Sequence, residues 1–269
     1  MPQSKMNFAA PFLNAGKECM MKKYVETVSR GLTLRGFLEL PNTALEDGKK
    51  PPVMLMFHGF TGCKSEKYFL LSRLSRGLAE AGVASLRFDF GGTGESDGDF
   101  ADVTPKTEIE DGLAIVDFVE SLDEIDTKRI SLLGFSLGGF VAANVAGTIP
   151  EKLERLILIS PATSTHKKME KMYMETGSCG RGSLVLGRKF FEDGNGIDVM
   201  EVSSRYEGPV TIIQGTIDTA VTPDTALRYK NNFRNAQLHY IEGAVHSYDS
   251  PEHFCAVQAL VTEAMLQKV

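Results

Sequence analysis

The sequence predicts a doubly wound α/β fold, in which a mostly parallel sheet of eight strands is covered by helices on both faces. Two observations predict it. Short apolar runs recur along the 269 residues, and most gaps between them show the spacing of amphipathic helices. The runs are continuously apolar rather than alternating, which is typical of parallel strands buried on both faces.

The first two strands are expected to form an antiparallel hairpin, 24–30 with 32–40, turning at Gly31. Six further runs predict the other strands: 53–57, 83–88, 130–133, 156–159, 210–213 and 238–241. Apolar residues share a helical face at Leu71/Leu74/Leu78, at Ile109/Leu113/Val116 and at Phe254/Val257/Val261. A capping residue followed by proline marks three helix starts, at Thr104-Pro105, Thr222-Pro223 and Ser250-Pro251.

One interval interrupts this alternation of strands and helices. About fifty residues rich in Met, Lys and Gly separate the strand that ends at residue 159 from the strand that begins at residue 210. A structureless loop of that length is unusual in a compact domain, so residues 162–206 are predicted to form an inserted cap. The rest divides into an N-terminal extension, 1–23, and a core formed by 24–161 and 207–269.

The composition excludes several functional classes. The formal net charge is −6, whereas nucleic-acid binding usually needs a basic domain with clustered Lys and Arg, so it is not expected. No apolar run is long enough to span a membrane. The four cysteines, Cys19, Cys63, Cys179 and Cys255, are far apart, which predicts neither a metal site nor a redox-active dithiol. Because the N-terminus does not resemble a secretory signal, a cytoplasmic location is expected. The sequence leaves a homodimer open.

Ser136 is the candidate nucleophile. It stands at the centre of Gly134-Phe135-Ser136-Leu137-Gly138, between a predicted strand and a run of small residues that predicts a helix. Glycines two residues before and after the serine allow a tight, strained turn that presents its hydroxyl at the carboxyl end of the strand. The Leu137 N–H, at the start of the helix, is expected to point at a reacting carbonyl oxygen.

A second match to the same pattern, centred on Ser96, is interpreted as a surface turn. Glu95 and Asp97 flank this serine, and no apolar helix follows it. The adjoining glycine-rich segment 87–94 lacks the third glycine of a dinucleotide-binding turn and the lysine of a P-loop. It is expected to be a structural loop, and no nucleotide cofactor is predicted.

Asp218 and His246 are the candidate acid and base that would activate Ser136. Each follows one of the last two predicted strands, so all three side chains are expected at the carboxyl edge of the sheet, where ligands bind. Their chain order is that of hydrolases with this serine turn. Asp224 and Asp193 remain alternative acids, in which case Asp218 would cap the turn that follows it.

His58-Gly59-Phe60 follows the predicted strand 53–57. Its position predicts a second oxyanion donor, the Phe60 N–H, beside that of Leu137. His58 is expected to brace this loop through a hydrogen bond rather than to transfer protons.

Taken together, these motifs resemble the α/β-hydrolase superfamily from about residue 24 to residue 266. More narrowly, five segments look like the bacterial cinnamoyl (feruloyl) esterases: 58–62, 96–98, 160–162, 215–219 and 241–246. The resemblance implies the α/β-hydrolase fold, a triad of Ser136, Asp218 and His246, and esters of hydroxycinnamic acids as substrates. The sequence departs from that family beside the serine, where Phe135 and Leu137 replace the usual His and Gln.

The expected reaction is hydrolysis of a small-molecule carboxylic ester through an acyl-enzyme on Ser136, with no metal or organic cofactor. Thioesters, lysophospholipids and acylglycerols remain alternative substrates for the same triad. A ligand-binding protein that kept the fold and lost turnover is an alternative of another class.

Met172, Phe190 and Phe191, all within the predicted cap, are the candidate substrate-binding residues. They either form an apolar acyl pocket or seal the cap onto the core. Six basic and two acidic residues lie in 165–189. This excess suggests a positive lid that would favour anionic substrates.

Overall fold

The computed structural model describes residues 20–41 and 50–267. Its strands are β1 (Met20–Ser29), β2 (Leu32–Pro41), β3 (Val53–Phe57), β4 (Ala84–Phe88), β5 (Ile130–Phe135), β6 (Leu153–Ile159), β7 (Gly180–Arg181), β8 (Leu184–Val185), β9 (Val210–Gly215) and β10 (Ala236–Ile241). Residues 1–19 of the predicted N-terminal extension lie outside the described residues. The remaining four belong to β1, which begins earlier than the predicted hairpin strand.

Eight of these strands form one sheet in the order β1-β2-β4-β3-β5-β6-β9-β10. β2 is antiparallel to both of its neighbours, and the other neighbouring strands are parallel. This topology confirms the predicted α/β-hydrolase fold. Because parallel strands end at one edge of the sheet, the residues that follow β3, β5, β9 and β10 come together there.

The α-helices within the described ranges are α1 (Leu70–Glu80), α2 (Pro105–Glu120), α3 (Leu137–Thr148), α4 (Thr165–Thr176), α5 (Lys189–Asn195), α6 (Val199–Ser203), α7 (Pro223–Asn232) and α8 (Pro251–Leu266). α2, α7 and α8 begin at the predicted prolines. The hydroxyls of Thr104 and Ser250 accept backbone N–H groups at the starts of α2 and α8, whereas the Thr222 side chain makes no such bond. None of these helices combines the length and apolarity needed to cross a lipid bilayer.

The core lies on both faces of the sheet. Along β3, Leu55 and Phe57 belong to one buried cluster, and the alternating Met54 and Met56 belong to the other. Helices α2, α3 and α7 cover the first face, while α1 and α8 cover the second. This burial on both faces explains why the strands are continuously apolar in the sequence.

The interval predicted as a cap, 162–206, contains α4, the β7–β8 hairpin, α5 and α6. α6 packs directly on α3: a Cβ on Gly147 would lie 2.5 Å from the carbonyl carbon of Val202. Tyr206, at the end of the interval, is also buried. The last part of the interval thus packs against a core helix, while α4 and the hairpin supply residues to the cavity above Ser136. The limits of the cap as a separate unit stay a prediction.

Candidate active site

Ser136 lies in a strained turn between β5 and α3. Its backbone has φ 55° and ψ −117°, a left-handed conformation that is costly for a residue with a side chain. A Cβ on Gly134 would overlap the carbonyl group of Gly138, and a Cβ on Gly138 would overlap the carbonyl oxygens of Phe57 and His58. The two glycines therefore allow both the turn itself and its close packing against the end of β3.

Ser136, His246 and Asp218 form a continuous hydrogen-bonded series. The Oγ of Ser136 is 3.0 Å from the Nε2 of His246, and the Nδ1 of His246 is 2.7 Å from the Oδ2 of Asp218. Asp218 is buried and His246 is partly exposed. The His246 ring also packs against Phe135, with centroids 5.0 Å apart. The three residues follow β5, β9 and β10, so the parallel sheet brings together groups that are far apart in sequence.

The Asp218 carboxylate accepts four hydrogen bonds. Its Oδ1 accepts the N–H groups of Ala220 and Val221, each at 2.9 Å, and its Oδ2 accepts from His246 and, at 3.2 Å, from the Nε2 of Gln214. Burial alone would raise the pKa of Asp218, but the hydrogen bond and charge of His246, together with the Val221 N–H, outweigh it and lower the pKa. The carboxylate is thus held in its ionised form.

The two alternative acids lie elsewhere. Asp224 is exposed in the first turn of α7, where it faces solvent. Asp193 is half-buried in α5. Neither contacts His246, whose ring nitrogens are bonded to Asp218 and Ser136.

Two backbone N–H groups face the space beside Ser136. The Gly59 carbonyl accepts from the Gly62 N–H at 2.9 Å, and in a trans peptide the N–H of the next residue, Phe60, points the opposite way. The Ser136 carbonyl accepts from the Gly139 and Ala162 N–H groups at 3.0 and 2.9 Å, which likewise turns the Leu137 N–H outward. Among the residues that the structure describes, neither N–H has an acceptor.

His58 and Glu66 hold this loop in position. The Nδ1–H of His58 donates to the Gly59 carbonyl at 3.0 Å, while its Nε2 accepts the Phe90 N–H at 3.3 Å. The Oε2 of Glu66 accepts the Gly59 N–H at 2.8 Å. His58 is 1% exposed, so it is a buried brace of the loop rather than a group open to substrate.

A cavity of about 410 Å³ opens above Ser136. Its apolar walls come from Phe60, Leu70, Phe135, Met169 and Met172. Met172 lines the cavity, and its role in substrate binding stays a prediction.

Phe190 and Phe191 are not among the residues that line this cavity, in contrast to the acyl-pocket interpretation. They are 0% and 3% exposed. Phe190 packs against Phe60, and Phe191 packs against Tyr173, each with ring centroids 5.4 Å apart. Because α5 turns both rings into the core, they seal the inserted segment onto it, as in the alternative interpretation.

Ser96 lies in the loop that follows β4. Its hydroxyl donates to the Asp89 carbonyl at 2.7 Å and accepts the Arg35 N–H at 2.9 Å. Both bonds tie the 91–98 loop to its neighbours, so the hydroxyl is used structurally.

Sequence reasoning missed the groups that support Asp218. Gln214, at the end of β9, is buried and donates to Asp218; the signal was an amide directly after the isoleucine pair 212–213. Tyr248 and Ser160 are also buried, and their hydroxyls are 2.9 Å apart. Burial raises the pKa of Asp218, and Ser160 is one of the groups, after His246, that lower it below its usual value. No local motif marks these residues.

A family model described as serine aminopeptidase, S33, matches residues 48–185 of the chain. This stretch includes Ser136 and the loop after β3, and it ends before Asp218 and His246. The structure of Est1E from Butyrivibrio proteoclasticus with ferulic acid bound superimposes with a TM-score of 0.80 and 28% sequence identity. The superposition covers 90% of this chain and 98% of Est1E.

Two curated relatives are named as a thiohydrolase and a thioesterase. Thiohydrolase apmlB of Arthrinium phaeospermum is 32% identical over 166 residues, which cover 60% of this chain and 51% of that protein. The mitochondrial palmitoyl-protein thioesterase ABHD10 of Homo sapiens is 32% identical over 129 residues, which cover 47% of this chain and 39% of that protein. The chain spans about a third to a half of the length of the curated relatives it matches.

The family model covers more than half of the chain, and the Est1E superposition confirms the resemblance to cinnamoyl esterases. The protein belongs to the serine aminopeptidase S33 family and has the α/β-hydrolase fold.

Proposed function

We propose that this protein cleaves carboxylic esters of small molecules through an acyl-enzyme on Ser136. The observation that carries the proposal is the series of hydrogen bonds from Asp218 through His246 to the Ser136 hydroxyl. Ionised Asp218 holds the Nδ1–H of His246, which leaves Nε2 free to accept the serine proton. The N–H groups of Phe60 and Leu137 support the proposal, since they can stabilise an oxyanion next to Ser136.

In the proposed reaction, His246 takes the Oγ proton while Oγ attacks the ester carbonyl carbon. The resulting oxyanion accepts hydrogen bonds from the Phe60 and Leu137 N–H groups. His246 then returns the proton to the departing alcohol, and the carbon–oxygen bond to the alcohol breaks. A water molecule, deprotonated by His246, attacks the acyl-enzyme and releases the carboxylic acid and free Ser136.

Hydroxycinnamoyl esters are the proposed acyl substrates. The likeness to Est1E with bound ferulic acid supports this class, and so do the cavity walls. Phe60, Phe135 and Met172 are well suited to a flat aromatic acyl group, because aromatic rings and thioethers pack well against one another. A thioester is the second candidate, favoured by the names of the two curated relatives.

A fluorophosphonate probe and a substrate panel test both parts of the proposal. The probe is expected to label wild-type protein and not Ser136→Ala. Among methyl ferulate, methyl butyrate and a butyryl thioester, the highest kcat/KM is expected for methyl ferulate. A higher value for the thioester would favour the second candidate. Absence of both labelling and hydrolysis would favour a ligand-binding protein that has lost turnover.

A further inference from the structure

The cavity above Ser136 shares a charged wall with a second cavity. The second cavity has a volume of about 560 Å³ and extends toward Thr93 and Phe100. Lys67 and Arg181 line both cavities, as do Phe60 and Glu66. Lys67 comes from the segment before α1, and Arg181 comes from the β7–β8 hairpin. Two cations from separate parts of the chain thus meet at the junction of the two spaces.

The carboxylate at this wall is bonded to backbone groups. The Oε2 of Glu66 accepts the Gly59 N–H at 2.8 Å, and its Oε1 accepts the Lys67 N–H at 3.0 Å. No ion pair joins Glu66 to the side chain of Lys67 or Arg181 within the described ranges. The Nζ of Lys67 lies over the Tyr68 ring, 4.8 Å from its centroid. Within the described ranges, neither Lys67 nor Arg181 forms an ion pair with a carboxylate, although both residues line the two cavities.

A third cation strengthens the field. Lys168, on α4, lines the cavity above Ser136, and its ammonium donates to the Ala220 carbonyl at 2.5 Å. By contrast, two other cations of the inserted segment are paired at the surface: Lys171 with Glu175 at 3.9 Å and Arg188 with Glu192 at 3.4 Å.

The sequence suggested a positive lid from the whole of residues 165–189. Of the basic residues in this segment, Lys168 and Arg181 line the cavity above Ser136. Lys67, from outside the segment, lines it as well. Lys167 lines a different pocket, beside His166. The positive cavity is thus more local than the sequence suggested, and it belongs to a chain with a net charge of −6.

We propose that Lys67 and Arg181 form an anion-binding subsite, and that the preferred ester carries a carboxylate within reach of it. The inference rests on the proposed ester hydrolysis and names its substrate class. The guanidinium of Arg181 can bind a carboxylate through two parallel hydrogen bonds, while Lys67 acts as a point charge. The apolar walls limit screening by water, so the field acts on the substrate more strongly than at an open surface.

Matched ester pairs test the proposal. On the acyl side, monomethyl terephthalate carries a carboxylate and methyl 4-carbamoylbenzoate carries an amide. On the alcohol side, 4-acetoxybenzoate carries the carboxylate and 4-acetoxybenzamide carries the amide. In at least one pair, kcat/KM is expected to be about ten-fold higher for the anion at low salt, in line with a hydrogen bond between charged groups. The preference should shrink at about 1 M salt, where the screening length is about 3 Å.

Two double variants locate the effect. In Lys67→Gln/Arg181→Gln most of the preference for the anion should be lost, and any remainder is due to Lys168. In the control Lys171→Gln/Arg188→Gln, which removes the same charge from α4 and the start of α5, the preference should persist. Arg181→Lys should keep part of the preference for the anion, because the positive charge remains. It should lose the rest, because lysine cannot form the two parallel hydrogen bonds of a guanidinium group. A preference that is absent in both ester pairs, or that largely survives in the Lys67/Arg181 variant, overturns the subsite.

Binding measurements keep this test separate from the test of ester hydrolysis. Calorimetry on Ser136→Ala compares 4-carbamoylbenzoate, which is an anion, with neutral terephthalamide. Tighter binding of the anion that depends on Lys67 and Arg181 supports the subsite even if no ester is hydrolysed. Equal binding of the two compounds contradicts the subsite even if ester hydrolysis is observed.

Discussion

The Nε2 of Gln214 donates to the Oδ2 of Asp218 at 3.2 Å, the same oxygen that accepts the Nδ1–H of His246. Gln214 also donates to the Val221 carbonyl at 3.0 Å, so it ties the carboxylate to the turn that follows it. Gln214 does not line the cavity and is buried. It is therefore a positioning residue, which acts on the substrate only through Asp218.

Replacing Gln214 by Leu removes this donor and should lower kcat about ten-fold, the scale of one hydrogen bond to a charged group. KM should change little. The low-pH limb of the kcat profile should move to higher pH, because the Asp218 carboxylate loses a stabilising N–H. Gln237→Leu, on the exposed face of β10, is the control. A rise in KM without a fall in kcat would contradict a positioning role.

Ser136→Ala should lower kcat by about 10⁴–10⁶-fold, because the proposed nucleophile is removed. Ser96→Ala has the same Gly-x-Ser-x-Gly surroundings in sequence and serves as the control. It should retain nearly wild-type kcat and lose stability instead, since the Ser96 hydroxyl bonds Asp89 and Arg35. Steady-state kinetics and thermal unfolding separate the two effects. Full activity in Ser136→Ala would eliminate this serine as the nucleophile.

Asp218→Asn should reduce kcat by about 10⁴-fold, since an amide in place of the carboxylate favours the wrong tautomer of His246. Asp224→Asn removes an exposed carboxylate of α7 and is expected to keep activity near wild type. The measurement is kcat with a single ester under identical conditions. A larger loss in Asp224→Asn or Asp193→Asn would reassign the acid.

Glu108, on α2, makes stability depend on pH. Burial, aided by the negative charge of Asp111, raises the pKa of Glu108 well above its usual value. The folded protein therefore keeps a proton that the unfolded chain loses above about pH 4.3. As the pH rises further, the free energy of unfolding falls by at most about 1.4 kcal/mol per pH unit, until the pKa of Glu108 in the folded protein is reached. Glu108→Gln should be more stable than wild type at pH 8 and not at pH 4. Glu80→Gln, which removes an exposed carboxylate at the end of α1, is the control for denaturant unfolding at both pH values.

Phe190→Ala and Met172→Ala should affect different properties. Phe190 is fully buried against Phe60, so its truncation should cost about 3–5 kcal/mol of unfolding free energy. Met172 is half-exposed on the cavity wall, so its truncation should raise KM with little loss of stability. Denaturant unfolding and kinetics on both variants check this contrast. A large KM effect in Phe190→Ala at unchanged stability would restore Phe190 to substrate binding.

Local sequence was enough to predict a mostly parallel sheet of eight strands that starts with a hairpin, and the residues that meet at its carboxyl edge. Each of these depends on short-range signals: apolar runs for strands, paired glycines around Ser136, and a polar residue directly after an apolar strand for Asp218 and His246. Parallel strands end at a common edge whatever separates them in sequence, so the topology brings these residues together.

The tertiary structure decided the rest. Phe190 and Phe191 have the composition of a substrate pocket, yet the orientation of α5 directs both rings into the core, which no local pattern encodes. Gln214, Ser160 and Tyr248 surround Asp218 only because β6, β9 and the chain after β10 are neighbours in space. Lys67 and Arg181 are more than one hundred residues apart in the sequence, and they share a cavity wall because the β7–β8 hairpin lies beside the loop after β3. Apolar periodicity predicts which residues are buried, but which cation faces which cavity depends on how distant segments pack.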